Sequence, residues 1–208
     1  MLYYLRMQVH RRLGHDISAR RDLDRLLRLT PTDEKGFVAR GLARAADGDM
    51  KAALNDFTRA VALNPNSVPA LQDQAAVLAE QLGRNREALA PLDRLLELYP
   101  AFARARGARA VVRARLGMRD EAVADARRAL ELNPGSGETL YQAASVYALS
   151  GRDREADRAE AFRLLCQALQ RGQGWDQLRQ DDDLATLRTD ARFNDLKRTA
   201  GLLQTGGR

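Results

Sequence analysis

The chain has 208 residues, 45% hydrophobic and 30% charged with 5% aromatic; this excludes a disordered segment and leaves the filling of a core to Ala and Leu, a helical palette. Its one cysteine, Cys166, excludes an internal disulfide or a Cys-based metal cage, so the expected home is a reducing cytoplasm, and no apolar run approaches the ~20 residues of a membrane span. A net charge of +6 and a pI near 10.0 invite a polyanion, but only three of the 34 basic residues are lysines, Lys35, Lys51 and Lys197, and an arginine surplus spread along the whole chain also follows from base-composition bias in the coding gene.

In chain order, MLYYLRMQVHRRL is apolar for only five residues before Arg6, too short for a signal peptide. It reads as a helix already under way at Met1, with no capping residue ahead of it and Leu2, Tyr3, Tyr4 and Leu5 exposed. Terminal units of repeat proteins normally turn a polar face outward, so this end implies an upstream segment or self-association. Next come Gly14, Ala19, Leu23, Leu26 and Pro31, and the same skeleton returns three times. It stands at Gly48, Ala53, Phe57, Ala60 and Pro65, at Gly83, Ala88, Leu92, Leu95 and Pro100, and at Gly117, Ala122, Ala126, Ala129 and Pro134. The glycines are 34, 35 and 34 residues apart, and a further 34 leads to Gly151, where a fifth copy takes five extra residues before Ala161, Leu165 and Ala168.

Each glycine follows a helical run (RRLG, AADG, EQLG, ARLG, ALSG) and is expected to end it in the left-handed region. The small residue, the apolar one four later and the next three beyond share one face of the following helix, which the proline stops. The unit is therefore a pair of antiparallel helices. Helix axes approach to about 8–10 Å only where the crossing side chains are small, which places Ala53, Ala60, Ala122 and Ala129 at crossings.

A period near 34 with this skeleton resembles the tetratricopeptide repeat family. The first helices carry Tyr3, Phe37, Leu71 and Leu140 at the family's first large position and Gly41, Ala75, Ala110 and Ala144 at its close-packing position. The copy from Ala103 departs most, because Arg106 and Arg113 stand where the family has large apolar groups. The resemblance implies an all-α, right-handed superhelical solenoid with about five repeats over 1–172 (1–33, 34–67, 68–102, 103–136 and 137–172). A capping helical segment would follow over 173–200, and 201–208 is expected to fray. The stretch WDQLRQDDDLATLRTDARFNDL resembles the closing segment that follows such arrays in bacterial multidomain proteins, some of them serine/threonine kinases. Kinase signatures are absent from this sequence.

Catalytic chemistry is not legible. Asp181, Asp182 and Asp183 are adjacent and do not converge on one point, so capping and solvation are expected of them, with Asp183 and Asp190 as caps. His10 and His15 are five apart, not the four that put two ligands on one helix face, and Cys166 lies on an apolar helix face as a small hydrophobe. No metal, cofactor or enzyme activity is therefore assigned. In ARARGARAVVRAR, Arg104 and Arg115 project to one side and Arg106, Arg109 and Arg113 roughly opposite, without interleaved aromatics, which disfavours nucleic acid. Arg106 and Arg113 either cover small neighbours with their stems or pair with acids such as Asp93, Glu97 or Asp125.

By the resemblance, the first helices line a concave groove that receives a peptide. Its lining falls on Tyr4, Gln8, Arg11, Lys35, Val38, Leu42, Gln72, Asp73, Arg104, Arg115, Tyr141, Gln142 and Ser145. This is a polar wall with a basic bias, suited to a protein or peptide partner of acidic character. Tyr4, Gln8 and Ala39 stand where a carboxylate clamp would need Lys and Asn, which disfavours a chaperone-tail clamp. The expected role is an interaction scaffold, or the regulatory or localising segment of a larger signalling protein such as a serine/threonine kinase.

Overall fold

The computed structural model describes residues 2–196 and 198, and among these it is all helix and turn, with no strand. Ten α-helices follow in order: α1 (Leu2–Arg12), α2 (Asp16–Leu27), α3 (Glu34–Ala46), α4 (Met50–Leu63), α5 (Val68–Ala76), α6 (Asn85–Leu98), α7 (Ala103–Arg115), α8 (Arg119–Leu132), α9 (Gly137–Ser150) and α10 (Glu155–Gln170). A π-type turn, Val77–Gln81, prolongs α5, and a 3₁₀ segment, Asp182–Leu187, follows α10. The chain divides into two compact units between Leu98 and Tyr99.

Local chemistry starts and stops these helices. Side chains of Asp33, Asp49, Ser67 and Ser136 accept hydrogen bonds from the backbone N–H groups of Gly36, Ala52, Ala70 and Thr139, the N-cap pattern, typically worth about 1 kcal/mol each. Gly14, Gly48, Gly83 and Gly117 all have positive φ, between 64° and 93°, as the repeat predicts. Gly151 does not: its φ is −86°. Its need is space, since a Cβ there would stand 2.9 Å from Arg158 Cγ and from the Tyr147 carbonyl oxygen.

In the first unit, α1 pairs with α2, α3 with α4, and α5 with α6, and each pair docks on the next through α2 on α3 and α4 on α5. The pairs are antiparallel: Arg40 of α3 meets Asp56 of α4, while Arg44, one turn on, meets the start of α4 at the Ala52 carbonyl. Small side chains sit at the crossings as expected, with Ala53 and Ala60 fully buried. Gly41 lies against the Phe57 ring so closely that a Cβ would come within 2.6 Å of Cε1. The apolar interior is a series of small clusters, one of Met7, Ala19, Leu23, Leu26, Ala39 and Ala43, others around Phe37 and Phe57.

Most of the buried apolar residues described in the second unit form a continuous core. It runs from Ala110 through α8, α9 and α10 to Leu178, Leu184, Leu187 and Phe193, and Ala122 is completely buried within it. Those last four side chains are at most 2% exposed, which amounts to roughly 6–12 kcal/mol of gross apolar transfer. Residues 173–193 thus complete the unit. Asp181, not Asp183, caps the 3₁₀ segment, its Oδ1 accepting from the Asp183 N–H. Asp190 accepts from the Arg192 N–H at the start of a helical turn over 191–196. The expected frayed tail, 201–208, lies outside the described residues.

Candidate functional site

Within the first unit the first helices touch in sequence, α1 on α3 and α3 on α5. Of the expected lining, Arg11 and Lys35 are exposed, and Tyr4, Gln8, Leu42, Gln72 and Asp73 are half-buried. Tyr4 turns its ring toward the first apolar cluster, while its hydroxyl accepts a 2.9 Å hydrogen bond from Gln8 Nε2. Val38 does not belong to an open wall: at 1% exposure it is packed in the cluster with Phe37, Ala60 and Ala70.

The second unit presents a different face. Helix α9 is enclosed, its side chains from Thr139 to Ala148 buried except for half-buried Gln142. Expected lining residues are taken up by the chain itself. Tyr141 donates its phenol proton to Asp181 Oδ2 at 2.7 Å, and Gly174 approaches its ring so closely that a Cβ would stand 2.4 Å away. Burial, reinforced by the Asp181 carboxylate, pushes the Tyr141 phenol well above its usual range. Arg115 Nε and Nη2 bond the Asp183 carboxylate at 2.9 and 2.7 Å, and Thr186 Oγ1 donates to the Ala148 carbonyl at 2.6 Å. Ser145 is buried and donates to the Tyr141 carbonyl one turn back. Tyr141 and Arg115 thus bond the closing segment, while Ser145 bonds within α9. Arg104 is exposed but pairs with Glu138 at 3.0 Å. Gln142 lies over Gly107, where a Cβ would stand 2.0 Å from its Oε1.

A feature that the hydrophobic pattern does not reveal is a recurring ion pair inside the helix pairs. Arg6 bonds Asp22 through Nε at 2.6 Å and Nη2 at 2.5 Å. Arg40 bonds Asp56 at 2.9 and 2.7 Å, and Arg109 bonds Asp125 at 2.7 and 2.9 Å, by the same two nitrogens. Each pair spans 16 residues, and the acids are 1–4% exposed. Bidentate geometry of this kind gives both oxygens of a covered carboxylate a hydrogen-bond partner. A second arginine one turn on joins twice, Arg44 at 2.9 Å from Asp56 and Arg113 at 2.7 Å from Asp125. Arg106 adds a third to Asp125 at 3.1 Å. Of the partners expected for Arg106 and Arg113, Asp125 is the one they take. The signal was present as Arg followed 16 residues later by Asp, at the same place in three skeletons. In the α5–α6 pair those places hold Gln74 and Pro91, the latter inside α6, and in the last pair Ala143 and Leu164.

Cys166 is half-buried, and burial pushes its thiol up, away from reactivity. Among the described residues no helix is long and apolar enough to cross a membrane.

Stacked antiparallel helix pairs with small residues at the crossings define a helical-repeat protein. The fold is that of the tetratricopeptide repeat proteins, and residues 103–136 match the tetratricopeptide repeat family model. That stretch is the copy whose first helix departs most from the family pattern. Its arginines do not break the repeat, because Asp125 neutralises them at the crossing. A 76-residue portion is 36% identical to the mouse "FK506-binding protein-like", covering 36% of this chain and 21% of that relative, so the match spans about a fifth of the relative's length. Among solved structures, a tetratricopeptide repeat protein from Parabacteroides merdae superposes with a TM-score of 0.64 at 20% identity, over 93% of this chain and 75% of its own. YrrB, described as a tetratricopeptide repeat protein with an unusual peptide-binding site, superposes with a TM-score of 0.58 at 22% identity, over 90% and 89% of the two chains.

Proposed function

We propose that this chain is a protein-interaction scaffold whose peptide-receiving surface is the wall of first helices in the first unit. The observation that carries this reading is the contrast between the two walls. Tyr141 and Arg115 are occupied from within by residues 174–183 and Ser145 is buried against its own helix, whereas Arg11, Lys35, Leu42 and Gln72 in the first unit keep exposed or half-exposed side chains. Tetratricopeptide repeats present such walls to extended or helical segments, and YrrB, of like fold, has a peptide-binding site. The recognition chemistry of this wall is mixed: amide, cation and a partly exposed leucine, with Asp73 adding an acid beside Gln72. An acidic peptide would be drawn by Arg11 and Lys35.

Peptides selected from a random display library on the immobilised chain, then measured in solution by fluorescence anisotropy, test this. Lys35→Glu with Leu42→Glu is expected to weaken the selected peptides by at least roughly tenfold, about 1.4 kcal/mol. The double variant Arg104→Glu, Gln142→Glu in the second unit should leave them unaffected. Peptides that lost affinity only to the second-unit variant would overturn the assignment.

A further inference from the structure

Histidine occurs twice in the 208 residues, at His10 and His15, and the fold brings the two together. Five apart on one helix they would point to different faces, but they do not share a helix. His10 lies in the last turn of α1, and His15 stands just before α2, which begins at Asp16. Between them Gly14, at a φ of 71°, turns the chain. Two nested backbone bonds close the turn, from the His15 N–H to the His10 carbonyl at 2.8 Å and from the Gly14 N–H to the Arg11 carbonyl at 3.1 Å. This is the Schellman helix end, which sets a side chain of the last helical turn against the one just past the glycine, usually as an apolar contact.

The same turn recurs with other contents. Around Gly48 the Asp49 N–H bonds the Arg44 carbonyl at 2.9 Å, and around Gly117 the Met118 N–H bonds the Arg113 carbonyl at 2.9 Å. The two joined places thus hold Arg44 with Asp49, Arg113 with Met118, and, at the first turn, two imidazoles. Their ring centroids are 5.7 Å apart with the planes tilted by 44°. Nδ1 of His10 is buried and has no hydrogen-bond partner among the described residues. A covered nitrogen left without a partner by its own chain calls for one from outside it.

We propose that His10 and His15 together bind one divalent transition-metal ion of the zinc class. Imidazole nitrogen suits such ions and not Mg²⁺ or Ca²⁺, which take oxygen. A tetrahedral ion holding each imidazole nitrogen at about 2.1 Å sets the two ring centroids roughly 5.3 Å apart, so the observed pair needs only a slight closing of the rings. The carbonyl end of α1 adds negative partial charge beside His10. Among the described residues no group of three or more His, Cys, Asp or Glu forms a ligand cluster, so water completes the coordination and the ion is exchangeable, unlike one in a closed structural cage. Bound there, it ties the end of α1 to the start of α2. The site is independent of the peptide wall proposed above.

Titrating Zn²⁺ into the full chain, carried without a histidine tag, tests this. With two histidines in the sequence, the NMR spectrum holds two sets of imidazole resonances to follow. Both sets are expected to move together and saturate at one ion per chain, while Mg²⁺ moves neither. In equilibrium dialysis His15→Gln, at an exposed position, and His10→Gln are each expected to weaken Zn²⁺ at least roughly tenfold, with an unchanged helical spectrum. Should His10→Gln disturb the fold, the ring shifts of the parent chain and the His15→Gln affinity decide between them. Resonances that stay in place with Zn²⁺ in large excess, movement of one ring without the other, or a response to Mg²⁺ equal to that to Zn²⁺ would overturn the proposal. So would a His15→Gln chain that keeps the parent's affinity, which would place the ion elsewhere, as on Cys166.

Discussion

Asp125 gathers three arginines at one helix crossing, and its removal is the sharpest test of how the helix pairs cohere. Four hydrogen bonds of 2.7–3.1 Å reach it from Arg106, Arg109 and Arg113, whose side chains are 15–21% exposed. Asp125→Ala leaves three covered guanidiniums facing one another around an empty site. Breaking a buried ion pair from one side costs about 3–5 kcal/mol, which at a urea slope of about 2 kcal/mol/M moves the midpoint down by roughly 1.5–2.5 M. Trp175, the chain's one tryptophan, belongs to the same unit, with its Nε1–H bonded to the Leu169 carbonyl at 2.9 Å. Its fluorescence therefore reports unfolding of the unit that holds Asp125. The control is Glu131→Ala, which removes an exposed partner of Arg128 and should cost no more than about 0.5 kcal/mol. The last helix pair already shows an apolar solution, with Leu140, Ala143, Tyr147 and Leu164 at the places of Arg106, Arg109, Arg113 and Asp125. Transplanting those four residues together should restore most of the stability that Asp125→Ala loses. If Asp125→Ala shifted the Trp175 transition no more than Glu131→Ala, the ion-pair account of these crossings would be refuted.

Three further outcomes are expected. Gly41→Ala should destabilise by about 1–3 kcal/mol through its clash with the Phe57 ring, against the roughly 1 kcal/mol of helix propensity it gains; a rise in urea midpoint would show that Phe57 moves aside freely. Ala122→Arg, at a fully buried crossing, should cost at least as much through overpacking and an unpaired charge, read by Trp175 fluorescence in urea. Acid should weaken the fold in a defined window. Hydrogen bonding to Arg192 holds the Asp190 carboxyl at about 2, below the ordinary 3.8, and Arg6 lowers Asp22 in the same direction. The unfolded chain then takes up protons first, so this stability is present above 3.8 and lost as pH falls toward about 2. Urea midpoints measured down the pH scale should fall mainly below about 4, and less so in Arg192→Ala.

Most of the helix-pair fold was legible because its cause is periodic. Gly48, Ala53, Phe57 and Ala60 each answer a local demand of turn or crossing, and a demand repeated at one spacing is visible without coordinates. Gly151 was misread for a related reason. The five-residue insertion after it changes the local path, so glycine serves close approach there and not handedness. The Arg–Asp pairs escaped because charged residues inside an amphipathic pattern read as solvent face, and only the 16-residue spacing betrays them. Tyr141 and Arg115 read as groove residues because their register is that of a groove helix. What covers them comes from up to 68 residues further along the chain, as in the Arg115–Asp183 pair, and nothing local announces it.

The same pairing changes what the basic composition means. Every arginine of ARARGARAVVRAR has an acid: Glu138 for Arg104, Asp125 for Arg106, Arg109 and Arg113, and Asp183 for Arg115. For a phosphate backbone to recruit the four innermost, it would have to strip buried carboxylates of their partners and leave them uncompensated at helix crossings, which outweighs the counterion release that drives such binding. Arginine at these crossings is an internal fastener, suited to it by a planar fork that matches a carboxylate at two points. In Arg6, Arg40 and Arg109 that use is the same bidentate pair with an acid 16 residues on, buried inside a helix pair.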